Sequence, residues 1–352
     1  MKKTIAIIGA TGAVGTQMLA DLESMDLSLY DSLRLFASPR SAGISKSFNN
    51  KKLTVQAYSL DEMQNIDFVL MSAGSGFSKE HSESIVKKGA TIIDNSSAFR
   101  QDERYKLIVP EVNGEQLDTI KEPTIIANPN CSTIQMVVAM KPIEDQFGIR
   151  SVHVATYQSV SGSGQQGMAA LDYQSMSHYQ LDETFKQKRM NDVHGKAGVE
   201  VPKYNDIAFN VVPAIDVLSK DNWCFEEIKM INETKKIMSK NSLSIFPTTA
   251  RVPVFKCHCE SLTLELEKEV SKEDVEECLD RFTNIKLHRD FSYDNFQGPK
   301  QLAGSHETHV MRVRTKFGES KSKWIQMWVV ADNLRKGAAT NAVQILERML
   351  KS

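Results

Sequence analysis

Residues 127–133 read Ala-Asn-Pro-Asn-Cys-Ser-Thr and set a thiol, Cys131, between an apolar run, Thr124–Ala127, and a helical pattern. Pro129 pushes Asn128 towards extended backbone, and Ile134, Val137, Val138 and Met140 then recur at helical spacing as far as Pro142. Cys131 is therefore expected at a helix N-terminus. Unpaired N–H groups and the positive end of the helix dipole favour thiolate there, and thiolate is the nucleophile. Position alone fits a small buried apolar residue as well, so the rest of the chain has to decide.

A second reactive group spans Arg251–Glu260 (RVPVFKCHCE), ahead of the alternating run Ser261–Leu266. Cys257, His258 and Cys259 could suggest a metal site. Neighbouring strand residues point to opposite faces, however, and no second cysteine pair completes a tetrahedron, so no metal is expected. Arg251 and His258 are seven apart and would face opposite sides of a regular strand; a bulge or turn near Pro253 is needed to converge them. Glu226 and Lys229 are three apart in a helical run ending near Ser239 and share a face, as an ordinary solvated ion pair also would. Arg100 closes the segment Asn95–Arg100 (NSSAFR) just past a strand, on the ligand edge of an open α/β sheet, and is a candidate anion clamp.

The elements that must hold these groups alternate. Thr4–Ile8 reads as a strand, Gly9–Gly15 (GATGAVG) as a glycine turn, and Val14, Met18, Leu19, Leu22 and Met25 as one helical face. Strand, glycine turn and helix form the phosphate end of a dinucleotide fold, here spaced G-x-x-G-x-x-G, which a plain αβ turn would also show. The next strand, Leu33–Ala37, ends in Ser38–Gly43 (SPRSAG) where an NAD-preferring site usually carries a carboxylate. Arg40 would instead clamp a 2′-phosphate, which favours NADP, although loops also carry Arg for solubility. Further strands are read at Ile66–Met71 and Ala90–Asp94, with a helix at Ser78–Lys88 between them.

Past Cys131, Ser151–Val160 alternates as a strand and runs into the polar, glycine-rich stretch Tyr157–Gly164, which suits close approach of a ligand. Gln165–Val201 reads as a polar helical excursion or subunit contact. Ser271 opens a charged helix, residues 290–308 form a loop, and strands follow at His309–Thr315 and Trp324–Val330. The last helix shows an apolar face of Val343, Leu346 and Leu350 and is expected to return to the first domain.

The length of the chain fits two domains with a large core. The chain has 352 residues and a net charge of -1, from 43 Lys+Arg against 44 Asp+Glu, which argues against a polyanion-binding surface. The start runs straight into a strand and no apolar run reaches membrane-span length, so a soluble, cytoplasmic protein without signal peptide is expected. Five cysteines, an odd number, point to free thiols.

Taken in order, Gly9–Gly15, Ser38–Gly43, Asn95–Arg100, Asn128–Thr133, Tyr157–Gly162, Glu226–Lys229, Arg251–Val254 with His258–Glu260, and Ala331–Ala338 (ADNLRKGA) resemble the successive motifs of aspartate-semialdehyde dehydrogenases. Eight ordered motifs spanning nearly the whole chain are far more specific than any glycine turn. The resemblance implies an α/β fold: a Rossmann-type dinucleotide-binding domain at residues 1–130 and 333–352, and an α+β catalytic and dimerisation domain at 131–332, like the C-terminal domain of glyceraldehyde-3-phosphate dehydrogenase. It implies NADPH-dependent reductive dephosphorylation of L-4-aspartyl phosphate to L-aspartate 4-semialdehyde and phosphate. Homodimers are implied, and homotetramers stay open.

The same resemblance assigns roles. Cys131 would form the thioester, His258 would act as acid/base for its proton and those of the tetrahedral intermediates, and Gln158 would position the substrate. Arg251 would hold the α-carboxylate and Glu226 the α-ammonium. Arg100, Lys229 and Asn130 would bind phosphate. Gly9, Thr11, Gly12, Ala13, Val14, Ser38, Arg40, Ser41, Ser161, Gly162 and Asn333 would contact NADP. Departures from the family pattern are Ser163 in place of the usual alanine, Cys257 and Cys259 in place of glycine and serine, and a divergent loop from Gln297 to His309. Two rivals are N-acetyl-glutamyl-phosphate reductase, which needs no ammonium-binding Glu226, and a non-catalytic homologue, which need not keep Cys131, Gln158, Arg251 and His258 together.

Overall fold

The computed structural model describes residues 3–194 and 206–352. Two compact units emerge: Met1–Lys141 with Asn232–Asn241 and Leu334–Ser352, and Pro142–Ile231 with Ser242–Asn333. The first unit thus runs past the expected boundary at residue 130 and includes ten residues from the middle of the chain.

The first unit is built on β1 (Lys3–Ile8), β2 (Tyr30–Ala37), β3 (Ser45–Phe48), β4 (Lys51–Ala57), β5 (Phe68–Met71), β6 (Thr91–Asp94), β7 (Lys106–Leu107) and β8 (Ile125–Ala127). Their order is β3-β4-β2-β1-β5-β6-β8-β7, parallel throughout except at the β3–β4 edge. Strands of such a sheet are buried on both faces and read as unbroken apolar runs. Ile5, Ile7, Leu35, Leu70 and Ile126 face one core with Met18, Leu22, Val343 and Leu346 of the first and last helices. Ala6, Ile8, Phe36, Val69 and Met71 face the other, with Ile85. The order reverses between β1 and β5, and ligands of open α/β sheets bind at that switch point.

Two features of this unit differ from the sequence reading. Ser45–Ala57 forms a hairpin that carries too few apolar residues to show strand alternation, because it lies at a sheet edge. Its signal is instead the pair Asn49 and Asn50, both at positive φ (47° and 62°), as a tight hairpin turn requires. The helix that begins at Cys131 does not stop at Pro142 but continues to Phe147. An interior proline costs a helix about 3 kcal/mol; here Ala139, Met140 and Ile143 on either side are fully buried, and their packing carries the helix through.

The second unit is a six-stranded sheet of β9 (Ile149–Gln158), β10 (Ser244–Arg251), β11 (His258–Ser271), β12 (Ile285–His288), β13 (Thr308–Thr315) and β14 (Lys321–Ala331), ordered β10-β9-β11-β14-β13-β12. β10 lies parallel to β9, whereas β11 runs antiparallel to β9 and β14. The end of β9, the end of β10, the start of β11 and the end of β14 therefore meet at one edge. The pairings Gln158 with Arg251 and His258 with Ala331 fix it. The polar excursion forms two helices, Gly164–His178 and Glu183–His194; its last part, 195–201, lies outside the described residues.

Candidate functional site

The expected site residues fall into two groups, one in each unit. In the first, Asn130 caps the helix Cys131–Phe147: its Oδ1 accepts from the N–H groups of Ser132 (2.9 Å) and Thr133 (3.2 Å). Cys131 occupies the first helical position and is partly exposed. The thiol thus has the dipole environment expected of it. Arg100 is buried, with Nε on the carbonyl of Asn128 (2.9 Å), Nη2 on that of Asn95 (3.0 Å) and Nη1 on Glu233 (3.2 Å).

The glycine turn adjoins a cavity of about 450 Å³ lined in part by Gly9, Thr11, Gly12, Ser38, Tyr58 and Ser72. Gly9 has φ 88°, and a Cβ there would lie 2.2 Å from the carbonyl oxygen of Ser72; one at Gly15 would lie 2.2 Å from that of Gly9. Glycine is needed at both places because two backbones approach this closely. Ala13 and Val14 open the first helix, behind the turn. Ser38 leads into a single 3₁₀ turn, Pro39–Ser41, that presents Arg40 to solvent with no hydrogen-bond partner among the described residues. The cavity and the close-approach glycines could hold a dinucleotide.

In the second unit the sheet edge gathers Gln158, Arg251 and His258. The turn expected near Pro253 is present: β10 ends at Arg251, Val252 N–H and Val160 N–H bond across to Gln158 and Val254, and Cys257 takes φ 69° just before β11. Arg251 Nη1 donates to the Ser159 carbonyl at 2.8 Å. Gln158 Nε2 donates to Oε1 of the buried Glu226 at 3.3 Å. Lys229 lies on the same helix face, 3.4 Å from Glu226 and 2.6 Å from Asp216.

His258 is fully buried. Its Nδ1 accepts from the Ser159 N–H at 3.0 Å and lies 3.1 Å from the Ser159 hydroxyl; its Nε2 has no hydrogen-bond partner among the described residues. Burial, followed by the nearby Arg251 charge, holds the imidazole well below its usual pKa, so the ring is neutral. Asn333 Oδ1 accepts from Ser159 Oγ (3.1 Å), Ser161 Oγ (3.0 Å) and Cys257 N–H (3.1 Å), which locks this corner. A Cβ on Gly162 would lie 2.7 Å from Arg251 Nη1 and 3.4 Å from His258 Nε2. Cys257 and Cys259 are buried, and burial raises both thiols, to about 12 for Cys259, so neither competes with Cys131 as a nucleophile at neutral pH.

Residues 4–120 match the semialdehyde dehydrogenase NAD binding domain and residues 140–336 the semialdehyde dehydrogenase dimerisation domain. Aspartate-semialdehyde dehydrogenase of Aquifex aeolicus is 42% identical over 352 residues, covering 99% of this chain and 98% of that one. The Bacillus subtilis enzyme is 40% identical, with 99% and 97% covered. Among solved structures, aspartate semialdehyde dehydrogenase II of Vibrio cholerae, complexed with ASA, aligns at a TM-score of 0.88 and 38% identity over 100% of this chain and 99% of that one. The chain belongs to the aspartate-semialdehyde dehydrogenase family. It is an oxidoreductase with the family's two α/β domains.

Three polar residues of this aspartate-semialdehyde dehydrogenase family member were not legible as site residues: Ser159, Asp216 and Glu233. Glu233 did carry a signal, since 226, 229 and 233 follow the i, i+3, i+7 spacing of one helix face. Ser159 meets His258 through its main-chain N–H as well as its hydroxyl, and Asp216 sits in a loop at φ 70°, so neither shows in side-chain periodicity. Among the described residues no helix is long and apolar enough to cross a membrane.

Proposed function

We propose that the chain reduces L-4-aspartyl phosphate to L-aspartate 4-semialdehyde, releasing phosphate, with NADPH as reductant. The reaction serves biosynthesis of lysine, threonine, methionine and isoleucine, with the diaminopimelate branch. The observation that carries the reading is the second unit's edge, where Gln158 pairs with Arg251 across the sheet and donates to the buried Glu226. A guanidinium on the strand paired with Gln158 and a carboxylate bonded to the Gln158 side chain suit the two charges of an amino acid. Arg251 takes the α-carboxylate and Glu226 the α-ammonium. N-acetyl-glutamyl phosphate lacks an ammonium group and would make no ionic contact of this kind with Glu226.

In this reading the Cys131 thiolate attacks the aspartyl carbonyl and Gln158 steadies the substrate. The carbon–oxygen bond to phosphate breaks, and phosphate leaves with the electron pair, served by Arg100, Lys229 and Asn130, and takes up a proton from water. A bound reduced nicotinamide supplies the hydride. His258 serves the oxygen that carries charge in each tetrahedral state, and breaking the carbon–sulfur bond returns the thiolate. Gly9, Thr11, Gly12, Ala13, Val14, Ser38, Arg40, Ser41, Ser161, Gly162 and Asn333 are the residues this reading assigns to the dinucleotide. Arg40, in the place of a ribose-binding carboxylate, supports NADP over NAD.

A homodimer in the cytoplasm completes the reading. The second sheet leaves His153 stacked on Phe246 at 4.7 Å and Tyr157 beside Trp328 at 5.2 Å, with Phe246 51% and Tyr157 40% exposed. An aromatic face of this kind within a domain matched as dimerising supports pairing through it. The deciding assay is phosphate-dependent NADPH formation from aspartate semialdehyde, with N-acetylglutamate semialdehyde as control. Cys131→Ser should abolish turnover while still binding the dinucleotide; turnover near wild type in that variant would remove Cys131 from the mechanism.

A further inference from the structure

Glu233 is fully buried, and its carboxylate joins two parts of the first unit. One oxygen accepts from Nη1 of Arg100 at 3.2 Å; the other accepts from the main-chain N–H of Asn130 at 2.6 Å, a short, charge-assisted bond. That N–H belongs to the Pro129–Asn130 peptide, one residue ahead of Cys131, and Asn130 is the residue that caps the Cys131 helix. One turn on, Lys236 donates to the carbonyls of Arg100 (3.1 Å) and Asp102 (2.8 Å), so the same helix grips the Arg100 segment twice.

We propose that Glu233 is a positioning residue that fixes the Arg100 guanidinium and the main chain at Asn130, the cap of the Cys131 helix, in one mutual orientation. The inference rests on the roles proposed above for Arg100 and Cys131. A buried ion pair is poor evidence of stabilisation, since apolar groups of similar shape often do as well. Orientation explains it better. Three of the five N–H donors of Arg100 are committed to Asn128, Asn95 and Glu233, which leaves two N–H groups on a guanidinium that cannot rotate. A fixed pair of donors recognises a phosphate, and a tether to the nucleophile's own turn keeps that phosphate in register with the attacking sulfur.

The test uses Glu233→Gln and Glu233→Asp in the full-length protein. Glutamine keeps the shape and an acceptor for the Asn130 N–H but removes the charge facing Arg100; aspartate keeps the charge on an arm too short to reach both partners. In Glu233→Gln, kcat should fall about tenfold or more with the KM for semialdehyde nearly unchanged, because alignment and not substrate binding is lost. Loss of the negative charge held on the Asn130 N–H, one residue from Cys131, should also lower the midpoint of the thiol's iodoacetamide alkylation profile by about half a pH unit, with Arg100 and Lys236 as the nearby cations. In Glu233→Asp the midpoint should stay at the wild-type value while kcat remains low. A merely structural role predicts a lower melting temperature with an unmoved midpoint and wild-type kcat per folded molecule. Either an unmoved midpoint in Glu233→Gln or wild-type kcat in Glu233→Asp overturns the proposal. The alkylation profile is read without substrate, so it is separable from a failure of the wild-type protein to turn over aspartate semialdehyde.

Discussion

The main-chain N–H of Ser159 donates to Nδ1 of His258 at 3.0 Å, and this contact decides which ring nitrogen carries the proton. A backbone N–H can only donate, so Nδ1 must accept, and a neutral ring then bears its hydrogen on Nε2. Nε2 is the buried nitrogen with no partner among the described residues. In that tautomer Nε2 is the donor of the ring and Nδ1 its acceptor. Nitrogen-15 spectra at neutral pH, assigned with His258→Asn, should show a protonated Nε2 and a bare Nδ1. The reverse pattern, or an imidazolium, would contradict the assignment.

Gly162 leaves the room that Arg251 occupies. Its φ is ordinary, so Gly162→Ala should fold, but the new Cβ would lie 2.7 Å from Nη1 and must displace the guanidinium. The expected result is a KM for semialdehyde raised about tenfold or more, with phosphate KM little changed, consistent with loss of a charged hydrogen bond worth on the order of 2 kcal/mol. Unchanged KM values would show that Arg251 is not held in place for the carboxylate.

The two cations of the second unit should separate kinetically. Lys229→Ala should raise the KM for phosphate and leave semialdehyde nearly untouched, whereas Arg251→Lys should do the reverse, because lysine keeps the charge but loses the planar fork. One charged hydrogen bond corresponds to roughly a thirtyfold change in the relevant constant. If both constants rise together in both variants, the roles are not divided this way.

Arg40 is exposed and makes no hydrogen bond to the described residues, so its removal should not disturb the fold. Arg40→Glu would place like charge beside a 2′-phosphate. Fluorescence titration should show NADP weakened far more than NAD. Equal loss for both dinucleotides would assign Arg40 to structure.

Acid should destabilise the folded chain through buried histidines. Burial, then the neighbouring His288, lowers His309 from 6.5 to about 4. Between those values the unfolded chain binds a proton that the folded chain does not, so stability is lost as pH falls through that window. The loss reaches up to about 3 kcal/mol at its lower end. Urea unfolding at pH 7 and pH 4.5 should show a smaller drop for His309→Gln than for wild type. Identical drops would mean that His309 does not drive the effect.

Much of this molecule is written locally. The Gly9–Gly15 turn, the N-terminal placement of Cys131 and the shared face of Glu226 and Lys229 all follow from patterns a few residues long, because helix and strand periods and caps act over one or two turns. The need for a turn near Pro253 is legible for the same reason. What remained for the tertiary structure were pairings between distant segments: Ser159 with His258, 99 residues apart, and Asn130 with Glu233, 103 apart. Strand order and register brought the first pair together, and helix packing the second. Neither the tautomer of His258 nor the carboxylate tied to the turn of Cys131 follows from residue type or spacing, because each depends on which backbone N–H lies within 3 Å of a buried side chain.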